Sequence, residues 1–399
     1  METLKIRCQK KSIFLFLLVL TFALRAYTDA VYVAKELDSP LTAAKYGVLF
    51  LAIAYGAVYL VQRGKAWQCL NILKYVGLAA LTAVFISFCK MIYVGVFSTA
   101  VLELAFHMLL PAIVTVLAMS ICDSDDIYRC FSWILCVCFV IFCVFEIGLE
   151  AFTAEQFAQI SFTDSFSPFE SHFTSGTAMA LCAYFSCYRK NRLLTILSLV
   201  FSLLVFKRLM VLFSLALFFL PIIIPMGKKL PRKTGMLCAA VFCVLTVGYY
   251  WCLIPENQAV LENVLGIESV ADFTSTRSLF FESVYSDVFF VDFGWGSCEA
   301  ALDRLLEMDL IQIYIELSVV GLVAFALSYW AIAGDTLYGI AYMGFNFLNM
   351  LSSHSIENGF IWIIVLITFA QIQTDTDKGI QATMPRIKFV FKSWRSIHD

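Results

Sequence analysis

The chain has 399 residues, of which 61% are hydrophobic and 15% charged, and its mean hydropathy is +0.84. Soluble domains average about 45–50% apolar and about 25% charged residues, so a soluble core could not bury this much apolar surface. The net charge of −2 does not bear on nucleic-acid binding, but the lack of a basic stripe with interleaved aromatic residues argues against nucleic acid as a partner. The composition therefore predicts an integral membrane protein with the lipid bilayer as its solvent.

Twelve apolar segments are candidates to cross the membrane, since a spanning helix needs about 20 mostly apolar residues. The N-terminal segment starts with basic residues, as a signal peptide does, but no small-residue cleavage site follows it. We therefore expect an all-α polytopic protein with a single membrane domain over 1–399. The predicted spans are approximately 12–28, 43–61, 70–89, 100–121, 131–150, 172–188, 193–206, 209–226, 236–254, 310–332, 336–351 and 358–373.

The positive-inside rule gives the orientation. With the N-terminus in the cytoplasm, twenty of the 28 Lys and Arg residues face the cytoplasm and eight face outward. This predicts that both termini are cytoplasmic. The C-terminal tail, 374–399, is basic with aromatics at helical spacing, which predicts a helix on the inner leaflet.

Two outward loops are long, 151–171 and 255–308. The first has no Lys or Arg, and the second has ten acidic residues against Arg277 and Arg304. A loop of this length on a membrane protein is usually functional. The patterns "LENVLGIE" and "SCEAALDRLLEM" have helical spacing, so we expect short amphipathic helices over the membrane face.

The fourteen cysteines are mostly scattered through apolar runs, without the paired CxxC spacing of a zinc site. We interpret them as small apolar fillers. Cys252 and Cys298 lie on one predicted face and are a candidate disulfide pair.

Three basic residues are candidates for anion binding. Lys207 and Arg208 lie between two apolar runs, where charge is unfavourable and often functional. Alternatively they form a tight turn whose side chains reach the headgroups. Arg277 is either a ligand-binding arginine or a loop residue paired with one of its many acidic neighbours.

Three further residues are candidates for acid–base chemistry. Asp309 opens a span, or simply stabilises the helix N-terminus as an acid there. Glu316 lies two turns later on the same face, and an intramembrane carboxylate usually faces a cavity or a basic partner. His354 lies three residues before Glu357 in "SSHSIENGF" and is either a base with its orienting carboxylate or a surface residue. In the fourth span, Glu103 and His107 are one turn apart, which suggests a buried pair.

The order of these features resembles the O-antigen polymerase and O-antigen ligase superfamily of bacterial membrane glycosyltransferases. Basic residues begin a late span in "FKRLMVLFSLAL", a long outward loop carries an arginine and a Gly-rich turn in "TSTRSLFFESVYSDVFFVDFGWGS", and a polar residue opens the next span in "DLIQIYIELSVVGL". In motif terms the resemblance covers about 200–335. It implies a GT-C-like membrane fold with one long periplasmic loop, and a bacterial inner-membrane location.

The resemblance also implies the substrate, an oligosaccharide linked to undecaprenyl diphosphate at the periplasmic face. Arg208 and Arg277, with Lys207 beside them, would hold the diphosphate, since arginine binds phosphate oxygens bidentately at any pH. The acceptor hydroxyl needs a base, for which Asp309, Glu316 and His354 are the candidates. We expect no metal and no other cofactor, because the cations can neutralise the leaving group.

The leading hypothesis is a polymerase that transfers the growing glycan onto an incoming lipid-linked repeat unit of O-antigen or a related surface polysaccharide. Where the ligases usually carry His-Asn, this chain has Asp309 and Leu310, which favours the polymerase. A ligase that joins polymer to lipid A-core and a polysaccharide flippase or exporter are the alternatives. A chain-length regulator is an open further partner.

Overall fold

The protein is helical throughout the part of the chain that the computed structural model describes, residues 2–33, 39–160, 167–171, 174–205, 207–225, 227–231 and 233–378. The only β-type contact within those residues is an isolated bridge between Lys229 and Thr336. The helices are α1 Glu2–Val31, α2 Leu41–Arg63, α3 Leu70–Val94, α4 Ala100–Ile121, α5 Ser124–Ile141, α6 Ala154–Ala158, α7 Ser175–Cys187, α8 Arg192–Leu204, α9 Arg208–Ile223, α10 Lys233–Leu253, α11 Gln258–Leu265, α12 Val270–Phe273, α13 Arg277–Ser286, α14 Ser297–Leu302, α15 Asp309–Ala333, α16 Leu337–Ser352 and α17 Gly359–Asp377.

Eight helices of the described chain are long and apolar enough to cross a membrane, namely α1, α2, α3, α4, α5 with the π-helical turn that follows it, α10, α15 and α17. All twelve predicted segments contain a helix, so the prediction of an all-α polytopic membrane protein is confirmed. The other four, α7, α8, α9 and α16, have 13 to 16 residues. Twelve crossings therefore remain a prediction. The predicted surface helix of the basic tail falls largely on 379–399, which lie outside the described residues.

The centre of the bundle is α7, in which every residue is buried, and α17 is nearly as enclosed. By contrast, α10 is mostly exposed along its apolar length and lies at the lipid-facing periphery. An apolar helix that is buried all round must be surrounded by other helices, whereas a peripheral one can leave its apolar side chains to the acyl chains.

Helix α15 is broken at Ser318, whose backbone has φ 62° and ψ −176°. The segments 309–317 and 319–333 are therefore separate helical pieces joined by a sharp bend. The bend places Asp309 within electrostatic range of Tyr329. In a straight helix these residues would be about 30 Å apart at 1.5 Å rise per residue.

The predicted helices of loop 255–308 are present as α11 and α14, with α12 and α13 between them. The loop has its own small core around Leu253, Phe281 and Cys298. Cys252 and Cys298 are both free thiols, so this candidate disulfide pair is not formed.

Candidate functional site

The predicted site residues meet at one end of the bundle, which we call the loop end because loop 255–308 covers it. Turn 353–358 between α16 and α17 also lies there, joined to the start of α15 by a hydrogen bond from the Asp309 amide to the Ser353 carbonyl oxygen. At the opposite end Lys11 pairs with Asp126 at 2.7 Å and Lys229 with Asp377 at 3.3 Å. The site is thus assembled from four distant parts of the sequence.

Lys207 and Arg277 form what we call the cation pair. Lys207 lies between α8 and α9, is half-buried, and is within electrostatic range of Arg277 and of three carboxylates, those of Glu307, Glu170 and Asp309. Burial lowers the pKa of Lys207, and the positive charge of Arg277 lowers it further. Among the residues that the structure describes, Lys207 forms no direct ion pair with a carboxylate. An anionic ligand at the cation pair would therefore bind in competition with the neighbouring carboxylates.

The guanidinium of Arg277 is only partly engaged. Its Nη2 lies 2.9 Å from Glu307 Oε2, and its Nη1 donates to the Thr274 carbonyl oxygen at 3.2 Å. Its Nε is buried without a hydrogen-bond partner within the described chain. The alternative of a salt-bridged loop arginine is thus confirmed as a contact, and the buried Nε keeps a donor that has no partner among the described residues.

Arg208 is exposed at the first turn of α9, one residue beyond Lys207. The backbone at Lys207 is extended, with φ −97° and ψ 114°. The structure places Lys207 within electrostatic range of Arg277, and the predicted role of Arg208 stays a prediction.

Helices α8 and α9 are short for membrane-spanning helices. With 13 and 16 residues they are roughly 20 and 24 Å long, whereas the hydrocarbon core is about 30 Å thick. Helix α16, with 16 residues, ends just before the His354 turn and is equally short. Lys207 and the His354 turn therefore both stand at the ends of short helices.

His354 lies between two carboxylates. Its Nδ1 is 2.8 Å from Asp309 Oδ1, and its Nε2 is 3.5 Å from Glu357 Oε2. Burial opposes protonation of His354, but the two carboxylates outweigh it and raise the pKa to about 10. Burial alone would raise the pKa of Glu357, but His354 and Trp295 lower it overall. Below about pH 10, His354 is therefore an imidazolium that lies between the carboxylates of Asp309 and Glu357. The alternative of an ordinary surface histidine is wrong, because only 16% of the side chain is exposed.

Asp309 is fully buried and cannot touch a substrate directly. Its Oδ2 accepts hydrogen bonds from the backbone N–H of Ser355 at 2.6 Å and of Ile356 at 2.8 Å, and from the Ser355 hydroxyl at 3.2 Å. It holds turn 353–358 and orients His354. The exposed member of this chain of groups is Glu357, whose side chain is 26% exposed and accepts a hydrogen bond from Trp295 Nε1 at 3.0 Å.

Glu316 holds the Gly-Trp-Gly turn against the bundle. It is fully buried and accepts hydrogen bonds from the backbone N–H of Gly296 at 3.1 Å and of Cys298 at 2.6 Å, and from Gln312 Nε2 at 3.1 Å. The expectation that Glu316 faces a cavity or a basic partner is wrong, because loop backbone supplies its donors. Loop 255–308 is thereby fixed to α15 at the level of the site.

The same turn requires its glycines. Gly294 has φ +99°, and a Cβ there would lie 2.5 Å from the Ser87 Cα. The Trp295 amide donates to the Ser87 hydroxyl at 3.0 Å, which fixes the buried indole beside Glu357. Lys90 supports the turn from α3 through an ion pair with Asp292 and a 2.9 Å hydrogen bond to the Glu316 carbonyl oxygen.

Sequence reasoning missed the roles of Lys90, Glu307 and Trp295, and it misjudged Glu103. Lys90 belongs to no sequence motif, and nothing in the sequence distinguishes Glu307 from the other nine acidic residues of the loop. The Gly-Trp-Gly turn is visible in the sequence, but the sequence does not show which residues contact it. Glu103 is exposed, so the predicted buried pair with His107 is wrong.

No known protein family matches the chain, and neither does any curated protein or solved structure.

Proposed function

We propose that this membrane protein is a metal-independent glycosyltransferase that polymerises lipid-linked polysaccharide repeat units. It would transfer a growing glycan from undecaprenyl diphosphate to an incoming lipid-linked unit at the periplasmic face of a bacterial inner membrane, with both chain termini in the cytoplasm. The observation that carries the proposal is the cation pair, Lys207 and Arg277, which Asp309 links to the His354–Glu357 pair.

The cation pair suits a polyprenyl diphosphate for electrostatic reasons. A diphosphate would bring negative charge to two neighbouring cations, in competition with the carboxylates beside them. Arg277 offers the planar donors that phosphate oxygens accept bidentately, while Lys207 adds a point charge.

In the proposed reaction an oxygen of the acceptor sugar forms a bond to the anomeric carbon of the donor. The bond from that carbon to the diphosphate oxygen breaks, and its electron pair leaves with the diphosphate, where Lys207 and Arg277 stabilise the growing charge. The hydroxyl proton passes to a carboxylate, and Glu357 is the partly exposed one. In this scheme Asp309 and Glu316 are positioning residues, and His354 is the charged partner of Glu357.

Single substitutions in cells that make the polymer test this proposal. Lys207→Ala and Arg277→Ala should each abolish long-chain polymer while the single-unit glycolipid still accumulates. Arg63→Ala is the control, because it also removes one positive charge but from the last turn of α2, away from the loop end. It should leave the polymer unchanged. Normal long-chain polymer in either well-expressed site variant would contradict the assigned roles.

The same cells distinguish the alternative functions. Deletion of the gene should leave only single units on undecaprenyl diphosphate. Full-length polymer that stays on undecaprenyl diphosphate without reaching lipid A would instead identify a ligase. Accumulation of single units on the cytoplasmic side alone would identify a flippase.

A further inference from the structure

A second group of side chains at the loop end lies next to Glu357, apart from the cation pair. Arg25 and Asp29, both buried, form an ion pair at 3.0 Å, and Lys45 lies 3.0 Å from the other oxygen of Asp29. Arg25 also donates to the side chain of Asn358, which in turn caps α17. The outer ends of α1 and α2 thereby fix the backbone immediately after Glu357.

Aromatic rings surround this group. The Tyr46 ring is 5.4 Å from Phe360 and 6.2 Å from both Phe106 and His107, measured between ring centroids. Tyr46, Phe106 and His107 are half-buried, so part of each ring faces outward. We call Tyr46, Phe106, His107 and Phe360 the aromatic patch.

Two exposed carboxylates lie at this patch. Glu103, one turn before His107 on α4, and Glu299 on α14 are exposed. Glu299 is within electrostatic range of Glu357, His354 and Glu103, and His107 is within range of the same three groups. Glu357 is therefore connected to both groups. It is linked through His354 and Asp309 to Lys207, and it is within electrostatic range of His107 in the aromatic patch.

We infer that the aromatic patch with Glu103 and Glu299 binds the sugar of the acceptor, on the side of Glu357 opposite to the donor diphosphate. This inference rests on the proposed function. Glycosyl transfer must hold two sugars in contact with one base, so two binding sites have to meet there. Ring faces with a few convergent carboxylate and imidazole groups suit the apolar C–H faces and the hydroxyl groups of a sugar. The exposed acids disfavour an anionic phospholipid headgroup at the same place.

The test uses the full-length protein in nanodiscs, with a lipid-linked repeat unit as donor and a fluorescently tagged, lipid-free repeat-unit oligosaccharide as acceptor. His107→Gln and Glu103→Gln should raise the KM for the tagged acceptor about tenfold or more, as expected for a lost hydrogen bond to a charged group. The KM for the donor should stay within about twofold. Glu268→Gln, an exposed acid elsewhere in the same long loop, is the matched control and should change neither value. An equal rise in both KM values, or no rise in either, would overturn the inference.

Binding of the tagged oligosaccharide alone, measured by fluorescence anisotropy, separates this inference from the proposed function. If the wild type transfers nothing but binds the oligosaccharide, and His107→Gln weakens that binding, the sugar site stands while the proposed reaction fails. If the wild type does not bind the oligosaccharide, or if phosphatidylglycerol displaces it, the patch is not an acceptor site.

Discussion

Replacement of Arg277 by Lys separates charge from geometry at the proposed diphosphate site. Lysine keeps the positive charge but offers a single nitrogen in place of the guanidinium fork. One charge-assisted hydrogen bond is worth about 1.5–3 kcal/mol, so the dissociation constant should rise roughly 10- to 150-fold. Binding of farnesyl diphosphate to the protein in nanodiscs, followed by calorimetry, measures this change. Unchanged affinity would mean that charge alone suffices and would refute the bidentate role.

Glu307→Gln is the matched change on the partner of Arg277. The ion pair is partly exposed, with 36% of the Glu307 side chain accessible, and such pairs contribute about 0–1 kcal/mol. If Glu307 competes with the diphosphate for Arg277, its removal should tighten farnesyl diphosphate binding by up to about fivefold. Weaker binding would show that Glu307 orients the arginine.

Three further changes test the support of the site. Glu316→Gln puts an amide donor against a backbone N–H and should destabilise the docked loop by about 1–3 kcal/mol. Proteolysis within 255–308 should then be faster than in the control Glu268→Gln. Equal proteolysis in the two variants would contradict the role of Glu316 in fixing the loop to α15. Gly294→Ala should lower the melting temperature more than Gly266→Ala, because both glycines have positive φ but only a Cβ at 294 meets backbone; equal losses would contradict this. His354→Gln should unfold at a lower temperature than the wild type. Because the folded pKa of His354 is raised, this loss of stability should have its largest value below pH 6.5 and vanish as the pH rises through about 10. A difference in thermal unfolding that does not change with pH would contradict the buried ion pair.

The sequence predicts the helices well because apolar length is a local property. Every predicted span contains a helix, but the bend at Ser318 has no Pro to signal it, and the nearby Gly321 indicates only a place of close helix approach. Beside the bend, Glu316 binds loop backbone and Lys90 from α3, and both partners are remote in sequence. A pattern of apolar residues therefore located α15 without revealing that it is two pieces.

The site was predictable in its members and less so in their roles. Arg277 stands out as one of two basic residues in a long acidic loop, and His354 as a histidine three residues before a glutamate; both lie at the loop end. The exposure that separates Glu357 from the buried Asp309 depends on tertiary packing. Lys207 and Arg208 are adjacent basic residues in the sequence, but in the structure Lys207 is half-buried and Arg208 is exposed.

Chain elongation by the purified protein tests the central claim most directly. In liposomes without any ion or pH gradient, the wild type supplied with lipid-linked repeat units should produce glycans of increasing length, and the Arg277→Ala protein should produce none. Elongation that persists in the Arg277→Ala protein, or movement of repeat units across the bilayer without any elongation by the wild type, would contradict the account.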